Sequence, residues 1–255
     1  MEKLREKESR SSPATFSEEG IVLQDPPPTS ELPFIKEGLY IIQDEASQLV
    51  TSILDPKPDE RILDGCAAPG GKTTHMAQKM ENRGEIYALD LSKGKLDLIE
   101  EMCQRLGIEI VKTVKGNAAK GLPIPEGLRF HRVLADVPCS GFGTLRRNPD
   151  LKWKKKEDDI RRLSELQSSI LRNLSGYVEE GGILVYSTCT VFREENEDVV
   201  ERFLGEHPEF GLDPIDEVLP GKSRVFIENG YFKTFPPRDE MDGFFVARMV
   251  KGNRR

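Results

Sequence analysis

Metal-ligating residues are scarce in this chain. Its 255 residues include four cysteines, three histidines and a single tryptophan. Cys66, Cys103, Cys139 and Cys189 lie far apart, and no Cys-x-x-Cys pair occurs. That excludes a zinc ribbon or finger, so no metal is expected. A disulfide framework is equally foreign to so long and cysteine-poor a chain. No apolar run approaches the length needed to span a membrane. The opening MEKLREKESRSSPATFSEEG lacks the apolar core of a signal peptide. A cytoplasmic protein with no membrane attachment is expected.

What is present is charge. Asp, Glu, Lys and Arg make up 32% of the chain, and the formal net charge is −7. Such a balance argues globally against a nucleic-acid partner, but local patches decide contact. One patch stands out: LRRNPDLKWKKK gathers six basic residues around the only tryptophan.

The order of elements is more telling. Residues 1–20 are polar and Ser-rich, which predicts a frayed or partly helical start. A Pro-rich connector, LQDPPPTSELP, follows, and GLYIIQD reads as a short strand. From Asp44, the residues Ala46, Leu49, Val50, Ile53 and Leu54 fall on one helical face. Strand, loop and helix then alternate. RILDG, GEIYALDLS, IEIVKTVKGN, RFHRVLADVP and ILVYSTCT read as strands. GKTTHMAQKM, SKGKLDLIEEMCQRLG and EENEDVVERFLGEHP read as helices, as does a long amphipathic segment from Lys156 closed by Gly181 and Gly182. SRVFIENGYFKTFPP and DGFFVARMV close the chain as a strand pair. The expected fold is an α/β, doubly wound, Rossmann-like sheet, mostly parallel with an antiparallel edge and helices on both faces. Residues 1–38 would form a short, partly disordered extension and residues 39–255 the domain. Ligands of such sheets sit beyond the carboxyl ends of the strands, so Asp64, Asp90, Asn117, Asp136 and Cys189 are the informative positions.

DGCAAPGGKTT follows the first of these strands and opens a helix, where glycine-rich backbone offers free N–H groups. It is not a Walker A loop. Five positions before Gly71 stands Cys66, and Gly65 is one residue too early. Nor does it hold the Gly-x-Gly-x-x-Gly dinucleotide fingerprint. Asp90 ends the second strand, where a carboxylate can accept ribose hydroxyls. Its alternative role is a cap for the helix opening at Ser92. A nucleoside without polyphosphate fits best, and S-adenosylmethionine is such a ligand.

Cys103 lies in a helical pattern and reads as a packing residue. Cys139 and Cys189 each follow a strand in the same half of the sheet and should open onto one cleft. One small packing hydrophobe at a strand end is easily explained, but two facing one cleft are less so. Carbon-5 of a pyrimidine is a poor nucleophile. A thiolate added at carbon-6 turns the ring into an enamine that attacks an electrophilic methyl. Asp136 is the nearby acid for ring nitrogen 3, and a second thiol can assist expulsion of the first.

In this order, DGCAAPGGKTT, ALDLS, LADVPCSGFGTLRRNPDLKW and YSTCTVFREENE resemble the RNA cytosine-5 methyltransferases, particularly the bacterial ribosomal-RNA type. QDEASQ and DGFF extend the resemblance, which runs from about Leu39 to Val250. It implies that Cys189 is the nucleophile and Cys139 serves product release. It further implies that Asp136 contacts the cytosine close to the donor. Cys66, Ala67, Ala68, Pro69, Gly70, Gly71, Lys72 and Asp90 would then hold S-adenosylmethionine, with Asn117 and Asp136 beside it and Lys72 also among the catalytic groups. DNA cytosine-5 methyltransferases instead attack with the Pro-Cys cysteine and carry Glu-Asn-Val. Here EEN follows the second cysteine and continues as Glu-Asp. Asn117 stands where the family usually has aspartate, which changes affinity without abolishing binding. Relatives often carry a longer N-terminal RNA-binding region.

RNA, ribosomal in the first instance, is thus the expected partner of a monomer. Arg146, Arg147 and Trp153 are its candidate contacts, with backbone phosphates meeting the arginines. A solvated basic run with a buried Trp153 is the plainer account, and for Lys154, Lys155 and Lys156 it serves as well. A tRNA cytosine-5 methyltransferase and a non-catalytic RNA-binding protein of the same fold are the competing functions.

Overall fold

A computed structural model describes residues 11–154 and 156–252. The start of the expected N-terminal extension (1–10), Lys155 of the basic run, and residues 253–255 lie outside the described residues.

A hairpin of β1 (Ser11–Pro13) and β2 (Ile21–Leu23) precedes the main body. Over residues 11–20 it takes the place of the frayed or helical start expected there. Phe16 in its turn packs edge-on against Phe226, with ring centroids 4.7 Å apart, and Glu45 accepts the N–H groups of Phe16 and Ser17. Residues 38–44 form no strand. Arg105 donates to the carbonyls of Ile35 and Tyr40, so this backbone is bound by a side chain rather than by a strand.

The domain then runs α1 (Glu45–Leu54), β3 (Arg61–Asp64), α2 (Gly71–Lys79), β4 (Glu85–Asp90), α3 (Lys93–Leu106), β5 (Val111–Lys115) and β6 (Phe130–Asp136). Next come α4 (Leu151–Lys154), α5 (Glu157–Ser175), β7 (Val178–Thr188), α6 (Glu197–Glu206) and β8 (Phe210–Leu212). The chain closes with β9 (Ile227–Glu228), β10 (Tyr231–Lys233), α7 (Pro236–Asp239) and β11 (Phe245–Lys251). The main sheet has the order β5-β4-β3-β6-β7-β11-β10-β9, and β8 pairs with β11. The five strands from β5 to β7 are parallel, while β11, β10, β9 and β8 add antiparallel pairs.

Alternation along each strand feeds two cores. Leu63, Val133, Ala135, Leu184 and Tyr186 join Leu171, Leu174, Val200 and Phe203 of α5 and α6 on one face. Ile62, Leu134, Val185 and Val246 join Leu49, Val50, Met76 and Ala77 of α1 and α2 on the other. Ala88 of β4 meets Leu96, Ile99 and Cys103 of α3, so Cys103 is a packing residue, its thiol pushed up to about 11 by burial. Two buried arginines complete the end of α1. Arg132 donates to Leu54 O (2.7 Å), and Arg248 donates to Ile53 O (2.5 Å) and Leu54 O (3.1 Å). Both satisfy carbonyls that a helix end leaves open.

One boundary differs from the sequence pattern. The long helix stops at Ser175, and Val178 already pairs with Phe130. Gly181 (φ 76°) and Gly182 lie in an irregularity of β7, not at a helix cap. Burial of Val178 against the sheet decides this, since the expected helix would lift it out of the core. Among the described residues no helix is long and apolar enough to cross a membrane, and no group of three His, Cys, Asp or Glu residues could hold a metal.

Candidate active site

Parallel pairing of β6 with β7 builds the centre. Asp136, the last residue of β6, lies in register with Ser187 of β7, and Val137 N–H bonds Ser187 O at 3.0 Å. Each strand runs into a loop carrying a cysteine. The Sγ atoms of Cys139 and Cys189 are 3.0 Å apart, and Cys189 N–H points at Cys139 Sγ (3.2 Å). Both cysteines are free thiols and partly exposed. Fifty positions apart in sequence, they touch because two adjacent parallel strands end together.

Their electrostatics differ. Cys189 is lowered from its ordinary value, chiefly by the hydrogen bond from Cys139 and further by the charge of Lys72, against the effects of burial and of Asp136. Cys139 is raised well above the ordinary thiol value by that same bond, by burial and by the nearby Glu195. These directions give Cys189 the greater tendency to carry charge, opposed by the Cys189 N–H that points at Cys139 Sγ.

Asp136 sits beside the pair. Its Oδ2 receives Lys72 Nζ at 2.8 Å and its Oδ1 the Ser187 hydroxyl at 2.7 Å. Lys72 comes from the first turn of α2 and lies over the Phe244 ring, 5.1 Å from its centroid. Its ammonium is raised despite burial, because Asp136 faces it.

The loop after β3 folds back on the sheet. Ala67 N–H bonds Leu89 O, Gly70 N–H bonds Ala67 O, and the Ala68–Pro69 peptide is cis. The first N–H groups of α2 have no partner within the helix. Asp90 Oδ1 accepts Ser92 N–H at 2.9 Å, closing a turn ahead of α3 without bonding the helix's own first N–H groups, and this leaves Oδ2 for a ligand. Asn117 uses its amide oxygen on Ala119 N–H (2.9 Å), so its NH2 group is what it can offer. The Cys66 thiol is raised by burial and by surrounding carboxylates, which marks it as a wall of the loop and not a nucleophile. A row of backbone N–H groups suits a carboxylate or other anionic group, while one acidic acceptor and one amide donor suit the ribose and base of a nucleoside. A cavity of about 670 Å³ lies elsewhere, between residues 19–43 and the outer side of α2, and none of these residues lines it.

The basic strip divides. Arg147 is paired with Asp242, which is fully buried, so this arginine has a structural partner. Arg146 donates to Glu240 O at 2.5 Å and lies 3.9 Å from Asp44. Trp153 is 81% exposed, so the buried-tryptophan account fails. Lys152 Nζ lies 5.1 Å from its ring centroid.

QDEASQ and DGFF find their use here. Asp44 caps α1 through Ala46 N–H and also accepts Asp242 N–H. Gly243 N–H bonds Gly143 O, and Gly143 N–H bonds Cys189 O. A Cβ at Gly143 would stand 1.9 Å from Gly243 O, so only glycine lets these loops meet.

Sequence reasoning missed the group beneath the thiols. Glu195 and Asn196 are buried, and with Gln167 they hold the residues flanking both cysteines. In the sequence they were part of an acidic run that reads as the start of a solvated helix. The signal available was the EEN triplet following YSTCT.

The profile of the family described as 16S rRNA methyltransferase RsmB/F matches residues 51–250. The probable ribosomal RNA small subunit methyltransferase B of Bacillus subtilis is 48% identical over 219 residues, covering 86% of this chain and 49% of its own length. The ribosomal RNA small subunit methyltransferase B of Shewanella oneidensis is 35% identical, covering 93% and 54%. The chain therefore spans about half the length of the curated relatives it matches. Among solved structures, NSun6 from Pyrococcus horikoshii with SFG aligns with a TM-score of 0.78 at 33% identity, covering 92% of this chain and 60% of that one. A methyltransferase homolog protein from the same organism aligns at 0.82 and 31%, covering 98% and 81%. Together with the strand order, the thiol pair and the Cys66–Lys72 loop, these matches place the chain in the 16S rRNA methyltransferase RsmB/F family.

Proposed function

We propose that this chain transfers a methyl group from S-adenosylmethionine to carbon-5 of a cytosine in RNA, ribosomal RNA in the first instance, through a covalent bond to Cys189. The observation that carries this reading is the contact of two thiols beside a carboxylate held by lysine. The Cys66–Lys72 loop, Asp90 and Asn117 would hold S-adenosylmethionine, which would supply an electrophilic methyl group.

The chain's own residues do the rest. The Cys189 thiolate adds to carbon-6, and the electron pair moves toward carbon-5 and ring nitrogen 3. Asp136, held by Lys72 and Ser187, accepts the exocyclic amine and delivers a proton to nitrogen 3 as charge develops there, the proton coming from the Lys72 ammonium that faces it. After methylation the carbon-5 proton passes to solvent water, its electron pair re-forms the carbon-5–carbon-6 double bond, and the carbon-6–sulfur bond breaks to release Cys189 as a thiolate, to which Cys139, in contact with it, donates a hydrogen bond. Arg146 and the exposed Trp153 are assigned as RNA contacts, whereas Arg147 contributes by holding Asp242.

The test separates the cysteines. Cys189→Ala will neither methylate cytosine-containing RNA nor form an adduct with 5-fluorocytosine RNA. Cys139→Ala will attack but stall at release, accumulating a protein–RNA band on a denaturing gel without any fluorinated base. The double variant will lose that band. A band from Cys189→Ala that vanishes in Cys139→Ala would reverse the roles. RNA binding without methylation or adduct in the intact protein would leave the non-catalytic reading.

A further inference from the structure

We infer that Glu195 is a positioning residue that keeps Cys139 protonated beside Cys189, so that the negative charge of the thiol pair stays on the nucleophile. The inference rests on the proposed roles of the two thiols and adds what assigns those roles.

Two thiols 3.0 Å apart can share one negative charge in either direction. Something must break the symmetry. Geometry does part of this. Glu195 Oε2 accepts Ser140 N–H (2.8 Å) and Gln167 Nε2 (2.8 Å), and Gln167 Nε2 also donates to Pro138 O (3.0 Å). Residues on both sides of Cys139 are thus held by Glu195, directly or through Gln167. Asn196 holds the other loop in the same way. Its Oδ1 accepts the Thr188 hydroxyl (2.5 Å), and its Nδ2 donates to Thr190 O (3.1 Å), so both neighbours of Cys189 are bound. Ser140 and Thr190 hydroxyls, 2.8 Å apart, tie the loops together. One dipeptide therefore sets the separation of the two sulfurs.

Charge does the remainder. Glu195 is fully buried. A carboxylate placed there, on the N–H of the residue next to Cys139, disfavours a negative charge on Cys139, against the Cys189 N–H that points at the Cys139 sulfur. On the Cys189 side stand Lys72 and the more distant Arg147, which favour a thiolate, and Asp136, which opposes it. Tyr186, whose hydroxyl bonds Glu195 O, is a further titratable neighbour, and burial keeps it neutral. An acid on one side and a cation on the other polarise the pair from Cys139 toward Cys189.

Limited alkylation by iodoacetamide at neutral pH, followed by peptide mass spectrometry, reads the charge directly, because only the thiolate reacts. In the unaltered protein Cys189 should be labelled in large excess over Cys139. Glu195→Gln keeps shape and one acceptor but removes the charge, and the Cys189-to-Cys139 ratio should fall by about tenfold or more, the effect of one pKa unit. Glu195→Asp should restore the preference. Gln167→Met loosens the same loop without changing charge and should leave the ratio near that of the unaltered protein. An unchanged ratio in a folded Glu195→Gln variant overturns the inference, and so does an equal fall in Gln167→Met, which would make the role structural only. A second measurement leaves Glu195 in place. In Cys189→Ala, Cys139 should titrate above the free-thiol value of about 8.5, and a midpoint at or below it overturns the inference. Preferential labelling of Cys139 in the unaltered protein would instead sink the nucleophile assignment of the proposed function.

Discussion

At the scale of the residue, Asp64 shows how a side chain central to the loop can oppose stability. It ends β3, is 1% exposed, and accepts the Thr73 hydroxyl at 2.7 Å. Burial, with Asp136 nearby, pushes its carboxyl from 3.8 up to about 7. A raised acid pKa means that the folded state prefers the protonated form. Stability is then full below 3.8, falls as pH rises from 3.8 through about 7, and is level above. The loss is about 4 kcal/mol at most, since one unit corresponds to ~1.4 kcal/mol. Asp64→Asn keeps an acceptor for Thr73 and removes the ionisation. Its thermal stability relative to the unaltered protein should rise between pH 4 and 7 and be higher at pH 8. Parallel melting curves for the two proteins across that range would contradict the assignment. Residue types and spacing around Asp64, Asp90 and Cys189 were legible in the sequence, whereas the partners of Asp64 and Asp136 were not, because Thr73 and Ser187 reach them only through the fold.

At the scale of the element, the end of α1 depends on residues from β6 and β11. Arg248 is 3% exposed, pairs with Asp213 at 2.6 Å, and donates to the last carbonyls of the helix. Burial lowers its pKa, opposed by Asp213. Removing one partner of a buried pair leaves the other charge uncompensated, so Arg248→Met should cost about 3–5 kcal/mol. Replacing both, as Arg248→Met with Asp213→Leu, should recover much of that loss. Chemical denaturation of the single and double variants measures both effects, and an additive double variant would show that the pair is not coupled. The strip after β6 behaves differently. Arg147→Ala should lower stability by freeing the buried Asp242, while Arg146→Ala should not. Equal melting temperatures for the two variants would refute that division. The helix and strand patterns of these elements were readable from periodicity, but the EEGG segment was not. Its placement in β7 follows from burial of Val178 on Phe130, a contact 48 positions distant.

At the scale of the whole molecule, an acidic chain carries a short run with an exposed Trp153 and a part-exposed Arg146. Trp153 offers a face on which an unpaired base can stack, and Trp153→Ala should weaken RNA binding by about 1–3 kcal/mol. Arg146→Ala should reduce the slope of log affinity against log salt by about 0.7–0.9 if it meets one phosphate. Unchanged affinity and slope in RNA titrations would move the RNA face elsewhere. The sequence by itself determined the alternation of strands and helices, the loop at Cys66–Lys72, the strand-end carboxylates and the presence of two significant thiols. These are signals of residue type and short spacing, written along the chain at periods of two and 3.6 or within a dozen positions. Only the tertiary structure decided that Cys139 and Cys189 touch, that Arg147 is paired with buried Asp242, that Trp153 is exposed, and that Glu195 and Asn196 hold both thiol loops. Each of these depends on which strands are neighbours and in what register. Here β6 and β7 are parallel and aligned at Asp136 and Ser187, which brings residues fifty positions apart to within 3.0 Å. Local pattern specifies which residues face a core, but pairing and register arise only when both faces of the sheet are buried at once.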